Sequence, residues 1–433
     1  MHPDQVSVPE RVAIVGLVSP HGRRVDPDLG LRELEGLVAA AGGQVVLRSW
    51  QERATPDAAT YVGRGKLDEV ALACAELDVD VVVFDAELSA SQQRQVEGIV
   101  GRRAVDRTEL ILDIFARRAQ TREGKLQVEL AQLRYLLPRL VGAGVALSRL
   151  GGGIGTRGPG ETKLETDRRR IRRRIASISD NIDEVRRRRA RLRERRQKAD
   201  MPTIALVGYT NAGKSTLFNL LTDESADTSD ALFVTLDPLV RRVRLGDGRD
   251  LLISDTVGFI DRLPHALVAA FRATLEEVCE ADLLVHVVDG AEPDYERRMD
   301  AVQKVLEDVG AADVPRIDAF NKCDRLTPAE RERLAHRHPA SVLVSALRGE
   351  GRDALLANVI ARVGLDTERV RITMNTRREE GRQAVVRLYR HARVVNHLAS
   401  GGRVEIVADV PRRMLLTLGR AAVRIQPGRG GNA

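Results

Sequence analysis

Three cysteines, Cys74, Cys279 and Cys323, are all that 433 residues contain, and no two of them form a CxxC pair. That spacing excludes a disulfide framework and a cysteine-built zinc centre, and it fits a reducing, cytoplasmic setting. Long apolar runs are missing too. No stretch approaches the roughly 18 residues that a membrane span requires. Nor does a secretory signal open the chain: Val12–Val18 is short, follows Glu10, and reads as a first strand. Aromatics are few, with one Trp, five Tyr and seven Phe, which disfavours a platform that stacks unpaired bases.

What is abundant is arginine, unevenly placed. The net charge is +7, yet Lys163–Lys198 alone holds sixteen Lys or Arg against six Asp or Glu, an excess of ten. The rest of the chain is slightly acidic. An arginine-rich helix face is often only a solvated face, but this density favours a polyanion, because each phosphate neutralised releases counterions. With few aromatics nearby, the backbone of a folded RNA is the better fit.

The length allows two to four domains. Residues 10–105 alternate strand candidates (Val12–Val18, Gln44–Arg48, Val79–Phe84) with helix candidates (Leu31–Ala41, Lys66–Leu77, Ser91–Val100), as a small parallel α/β domain does. Asp85, at the end of a strand candidate, reads as a capping or loop aspartate in preference to part of a second nucleotide pocket. From Asp106 the pattern turns helical. Leu126, Leu130, Leu133 and Leu137 form one heptad seam, and Ile171, Ile175, Ile178, Ile182 and Val185 form another. The glycine-rich link Gly142–Gly160 between them predicts an antiparallel hairpin, its second helix opened by the capping box Thr162-Lys-Leu-Glu165. The expected architecture is multidomain α/β: an N-terminal parallel α/β domain (1–105), a helical hairpin with a Gly/Arg-rich tip (106–200), a central P-loop G domain (201–365) and a small C-terminal α+β domain (366–433). In the last, Val404–Ala408 and Ala422–Ile425 read as strands, and Glu379–Tyr389 and Arg412–Leu418 as helices.

The chemistry concentrates between Ile204 and Leu347. Gly208-Tyr-Thr-Asn-Ala-Gly-Lys-Ser215 fits GxxxxGK[ST] and follows the apolar run Ile204–Val207. In such a loop the backbone N–H groups of Gly208, Tyr209, Thr210, Asn211, Ala212 and Gly213 converge on phosphate oxygens, and the N-terminus of the next helix, with Lys214, Ser215 and Thr216, adds partial positive charge. Lys214 reaches the β- and γ-phosphates and the Ser215 hydroxyl ligates Mg2+. Leu251–Ser254 reads as a strand ending in Asp255, which holds the Mg2+ shell through water, and Gly258 offers its N–H to the γ-phosphate. Thr235, in Phe233-Val-Thr-Leu-Asp237, is the candidate switch threonine, completing Mg2+ coordination only while that phosphate is present. Asn321-Lys322-Cys-Asp324 reads the base: the Asp324 carboxylate accepts from guanine N1–H and N2–H, which adenine does not offer together. Ser345-Ala346 presents backbone N–H to guanine O6. The nucleotide expected is GTP or GDP, and the catalytic set is Lys214, Asn211, Thr235 and Gly258.

One departure bears on turnover. Phe259 stands where many Ras-like proteins carry the glutamine that orients water, so either hydrolysis depends on something supplied from outside or the protein binds nucleotide and hardly turns over. Asn211 resembles an asparagine that helps to hold K+ beside the phosphates in G proteins with GxxNxGKS loops; a loop-stabilising amide is the plainer alternative.

The run Gly151–Ile171, GGGIGTRGPGETKLETDRRRI, directly upstream of the phosphate loop, resembles the HflX family of GTPases, as do Tyr61-Val-Gly-Arg-Gly-Lys66 and Phe84-Asp-Ala-Glu-Leu-Ser89. The resemblance implies a GTP-hydrolysing switch that binds the large (50S) ribosomal subunit, hydrolyses faster there, and splits or rescues stalled ribosomes under stress; a cytoplasmic monomer is expected. It implies that the hairpin tip meets the subunit, with Arg157, Gly158, Arg168, Arg169, Arg172 and Arg173 as contacts. ATP binding by the N-terminal domain is also implied, although no motif there carries it. Two alternatives stay open: a potassium-dependent GTPase of the tRNA-modifying type, whose C-terminal cysteine motif this chain lacks, and an RNA chaperone that uses nucleotide structurally.

Overall fold

The computed structural model describes residues 9–18, 27–140, 159–198, 201–222, 232–233, 235–245, 250–261, 275–418 and 424–427. By contacts the chain divides into two units: residues 1–188, 229–237 and 262–273 form one, and the remainder forms the other.

The first unit holds a four-stranded parallel sheet, order β2-β1-β3-β4, from Arg11–Val18 (β1), Gln44–Glu52 (β2), Val81–Phe84 (β3) and Arg103–Asp106 (β4). Buried runs in β1 and β3 are near-continuous, as a sheet covered on both faces demands. Helices Pro27–Ala40, Arg64–Glu76 and Ala90–Val100 connect the strands. Ser89 opens the last of these with a reciprocal capping box to Gln92. β4 escapes the sequence pattern because it is four residues long and ends on a charge. That charge, Asp106, is fully buried and caps the next helix, Arg107–Arg118, by accepting from Glu109 N at 2.8 Å. It also accepts from Leu88 N at 3.1 Å and from the Arg139 guanidinium at 2.8 Å. Burial pushes its carboxyl above the usual range while these donors pull it back. Asp85 is no free capping residue: it accepts from buried Arg107 at 2.7 Å, and Arg107 also pairs with Glu33.

Helices Arg122–Arg139 and Pro159–Lys198 form the hairpin. Leu130, Ile178 and Ile182 are buried at their seam, with Leu126, Leu133 and Ile175 packed beside them. Glu129 accepts two hydrogen bonds from Arg174 across it, at 2.6 and 2.8 Å. The second helix begins at Pro159, not at Thr162. Proline supplies a helical φ and loses no hydrogen bond at that first position. The rest of the Gly142–Gly160 link, including Arg157 and Gly158, lies outside the described residues. Arg169, Arg172 and Arg173 are exposed and Arg168 is half-buried, off the apolar seam.

The second unit holds a six-stranded sheet, order β10-β9-β8-β5-β7-β6, from Thr203–Gly208 (β5), Leu239–Arg244 (β6), Asp250–Asp255 (β7), Leu283–Asp289 (β8), Arg316–Asn321 (β9) and Val342–Leu343 (β10). Only β6 runs antiparallel. β5 is central, so the loop that follows it emerges at the sheet's carboxyl edge, where open α/β sheets place their ligands. Leu206, Leu217, Phe218, Ile253, Val285 and Val287 are buried around it. The C-terminal part is an antiparallel sheet, order β12-β13-β11-β14, from Thr367–Asn375 (β11), Arg393–Ser400 (β12), Arg403–Pro411 (β13) and Arg424–Pro427 (β14), with helices Glu379–His391 and Arg412–Leu418. Sequence pattern misses β11 and β12; β12 is an exposed edge strand with a bulge and no alternating apolar face. Among the described residues no helix is long and apolar enough to cross a membrane.

The hairpin seam is narrow, so Ile178→Ala should cost about 2 to 5 kcal/mol locally. Hydrogen exchange is expected to lose protection in Arg122–Arg139 and Pro159–Lys198 and to keep it in β5–β9. Equal loss in both would show that the seam is not a separate packing unit.

Candidate functional site

The phosphate loop turns sharply at β5. Gly208 has φ +154, and a Cβ there would sit 2.2 Å from Val287 O. Gly213 has φ +87, and its Cβ would sit 2.3 Å from Asn321 Nδ2. Asn211, between them, is also left-handed at φ +59, a conformation asparagine tolerates better than most residues. Among the described residues its exposed side-chain amide makes no hydrogen bond to the protein, while its carbonyl accepts from Lys322 Nζ at 2.8 Å.

Lys214 opens helix Lys214–Thr222 and is buried. Its ammonium donates to Gly208 O at 3.1 Å and Tyr209 O at 2.8 Å, which leaves one of its three protons for a further acceptor. Burial pushes its pKa down to about 8, against the pull of Asp255; Lys322 adds to the depression. Ser215 Oγ donates to Asp255 Oδ2 at 2.7 Å. Two hard oxygen donors at that separation fit Mg2+, which takes one or two protein oxygens and keeps water in its remaining positions. Thr216 is half-buried on the same helix. Tyr209 is buried, its hydroxyl accepting from Asp261 N at 2.9 Å and its ring lying 5.2 Å from the Arg298 guanidinium.

β7 ends in Asp255, which is fully buried. The following turn returns to the phosphate loop: Phe259 N donates to Gly208 O at 3.0 Å and Thr210 N to Phe259 O at 2.7 Å. Gly258 is pressed against Thr210, where a Cβ would meet Cα at 3.0 Å and come within 3.1 Å of Lys214 Nζ. The Phe259 ring is 1% exposed. It is a core side chain, not a group facing solvent beside the loop.

The base-reading motifs meet through Asn321, at the end of β9. Its Nδ2 donates to Ala212 O at 2.9 Å and its Oδ1 accepts from Ala346 N at 2.9 Å. Lys322, at φ +61, carries its ammonium to Asn211 O and, at 2.7 Å, to Asp289. Ser345 Oγ donates to Asp324 Oδ1 at 2.6 Å, and this bond holds the Asp324 carboxyl below its usual range. The structure thus gathers the phosphate loop, Asp255, Gly258, Asn321, Lys322, Asp324, Ser345 and Ala346 in the second unit. Thr235 is half-buried and belongs, with Phe233 and Asp237, to the first unit. There Phe233, left-handed at φ +57, packs edge-on against Phe115 with centroids 4.7 Å apart. Asp237 accepts from Gln120 N at 3.1 Å, Thr121 N at 2.9 Å and the Thr121 hydroxyl.

A family model described as a 50S ribosome-binding GTPase matches residues 203–322. Models described as GTP-binding GTPase N-terminal and GTP-binding GTPase Middle Region match residues 29–116 and 118–196. GTPase HflX of Alkalihalophilus pseudofirmus is 54% identical over 297 residues, 69% of this chain and 70% of that protein. GTPase HflX of Caldanaerobacter subterraneus is 47% identical over 359 residues, 83% of this chain and 82% of its own. The chain belongs to the GTPase HflX family. Among solved structures, a GTP-binding protein from Sulfolobus solfataricus in complex with GDP covers 82% of this chain and 98% of its own, at 21% identity and a TM-score of 0.42.

Two residues of this HflX chain went unread in the motifs. Asp289 ends the apolar run Leu283–Asp289 just as Asp255 ends its own, a signal that could have been taken. Thr256 donates to Leu206 O at 2.6 Å and pins the turn after Asp255 to β5; nothing in its spacing marks this.

Lys214 gives a pH signature. Its folded pKa of about 8 lies below the ordinary 10.5, so between these values the unfolded chain binds more protons and stability rises with pH. Lys214→Met should therefore stabilise the nucleotide-free protein near pH 7.5, by up to about 3 kcal/mol, and the gain should fade toward pH 10.5. Urea midpoints for both proteins across that range check it; a constant gap would contradict the buried charge.

Proposed function

We propose that this chain is a GTP-hydrolysing switch that engages the large ribosomal subunit, is stimulated by it, and splits or rescues stalled ribosomes. The observation that carries the nucleotide half is the Asn321 amide. It ties the phosphate loop to Ser345-Ala346 and so presents base and phosphate readers as one surface. In this reading backbone N–H groups from Gly208 to Gly213, with Lys214, Ser215 and Thr216, hold the phosphates, and Gly258 N–H meets the γ-phosphate. Ser215 holds Mg2+, Asp255 does so through water, and Thr235 joins them in the GTP state. Asp324 accepts from guanine N1–H and N2–H, while Lys322 braces the loop and Ala346 N–H faces O6.

The ribosomal half rests on the family and on the exposed arginines Arg169, Arg172 and Arg173, to which Arg157, Gly158 and Arg168 are joined by sequence. Burial of Phe259 supports an external trigger, because the residue after Gly258 has no polar group to orient water. A K+ beside the phosphates completes the reading: the exposed Asn211 amide, which makes no hydrogen bond among the described residues, is suited to hold it. The protein acts as a cytoplasmic monomer in this reading.

GTP turnover should rise with purified large subunits and be faster in K+ than in Na+. Equal rates in the two salts would remove the cation, and no response to subunits would remove the ribosomal trigger. Asp324→Asn should reduce the preference for GTP over ATP by about 5- to 150-fold, the equivalent of the 1 to 3 kcal/mol cost of a mismatched buried polar group. Competition binding measures it, and unchanged selectivity would assign base reading elsewhere.

A further inference from the structure

The slight acidity outside Lys163–Lys198 hides a second basic region. Residues 366–433 contain fourteen arginines and no lysine against six Asp or Glu, an excess of eight. The order of elements there is β-α-β-β-α-β, with strands in the order β12-β13-β11-β14 and all antiparallel, the split βαβ topology. Both helices cover one face: Ala384, Leu388, Met414 and Leu418 pack on Val370, Ile372, Ile406 and Ala408. The residues that alternate with these point to the other face, which no described element of this part of the chain covers.

That open face is basic. It carries exposed Arg369, Arg371, Arg393, Arg403 and Arg424 against Glu405 and Asp409. The two carboxylates are matched, Asp409 by a two-bond contact with Arg369 at 2.8 and 3.0 Å and Glu405 by Arg371 at 2.9 Å. Of the three arginines left over, Arg393 lies beside Asp409, and Arg403 and Arg424 lie together toward the other end. Register pairs Arg403 with Asn375 and Arg424 with Thr373, on either side of β11. Arg377 follows at the same end, its guanidinium donating to Gly401 O at 3.2 Å.

We propose that this face is a second docking surface for the phosphate backbone of a folded RNA, centred on Arg377, Arg403 and Arg424. Guanidinium groups match phosphate oxygens two at a time. Thr373 and Asn375, between the arginines, add neutral donors. The central strands β11 and β13 present no aromatic ring on this face, so the contact is to backbone and shape, not to stacked bases. The proposal extends the ribosomal reading, which supplies the RNA, but uses a surface separate from the hairpin and from the nucleotide site.

The test is binding of the full chain to purified large subunits, and to their protein-free RNA, across a salt series. Arg377→Ala/Arg403→Ala/Arg424→Ala should weaken both by roughly tenfold or more, and flatten the dependence of log K on log salt by about two to three units, near 0.9 for each phosphate no longer neutralised. The triple Lys variant should retain most of the slope, and GTP affinity should match wild type in both. If the triple Ala variant does not fold, Arg424→Glu, on the exposed edge strand, should by itself weaken binding to both. Unchanged affinity and slope in a protein that binds subunits normally would overturn this surface and leave the ribosomal reading standing. Weaker binding to intact subunits with no change on naked RNA would give the face to a ribosomal protein and overturn the RNA assignment. A wild-type chain that binds neither at any salt would overturn both.

Discussion

A single buried amide holds the nucleotide site together. Asn321 is 2% exposed, and its donor and acceptor are both spent on backbone, one on the phosphate loop and one on the Ser345-Ala346 turn. Leaving either partner unmatched would cost about 1 to 3 kcal/mol at so buried an amide. The amide fits only because position 213 is glycine, since a Cβ would occupy the place of Nδ2. Motifs more than a hundred residues apart in sequence are thus parts of one steric arrangement. Lys322 repeats the link on its other side, bonding the Asn211 carbonyl while paired with Asp289.

The same arrangement shows how charge is managed at low cost. Lys214 is buried among carbonyls, where its proton is held less tightly than in water, so an incoming phosphate meets a cation whose desolvation has already been met by folding. The Ser345 hydroxyl holds the Asp324 carboxyl below its usual range and so favours the charged state that accepts from a base. Both groups are poised before any ligand arrives, Lys214 by the carbonyls of its own loop and Asp324 by a hydroxyl from the Ser345-Ala346 turn.

Most of this was legible in sequence where the signal was local. Apolar runs marked β1, β3, β5 and β7, because a strand in a covered parallel sheet needs no polar alternation. Glycines and the lysine marked the phosphate loop, because their roles are steric and electrostatic at fixed spacing. Illegible features were of two kinds. Some elements carry little apolar signal: β12 is an exposed edge and β4 is four residues ending on a buried aspartate. Others depend on distant partners. Nothing near Phe233-Val-Thr-Leu-Asp237 says that Asp237 will accept from the backbone at Gln120 and Thr121, or that Phe233 will turn left-handed to meet Phe115. The basic C-terminal face was hidden for a third reason, that arginine spread over four strands forms no run.

The long helix of the hairpin carries a further consequence, which concerns length. At about 1.5 Å per residue, the thirty residues Pro159–Arg188 measure about 45 Å, longer than many domains are wide. Its apolar seam is only one side chain broad, with Ile175, Ile178 and Ile182 facing Leu126, Leu130 and Leu133. A rod with such a seam can be lengthened or shortened without turning its arginines to a new direction only in steps of seven residues, about 10 Å each. The hairpin is therefore a ruler with coarse graduations, and the distance it spans is quantised by its own packing.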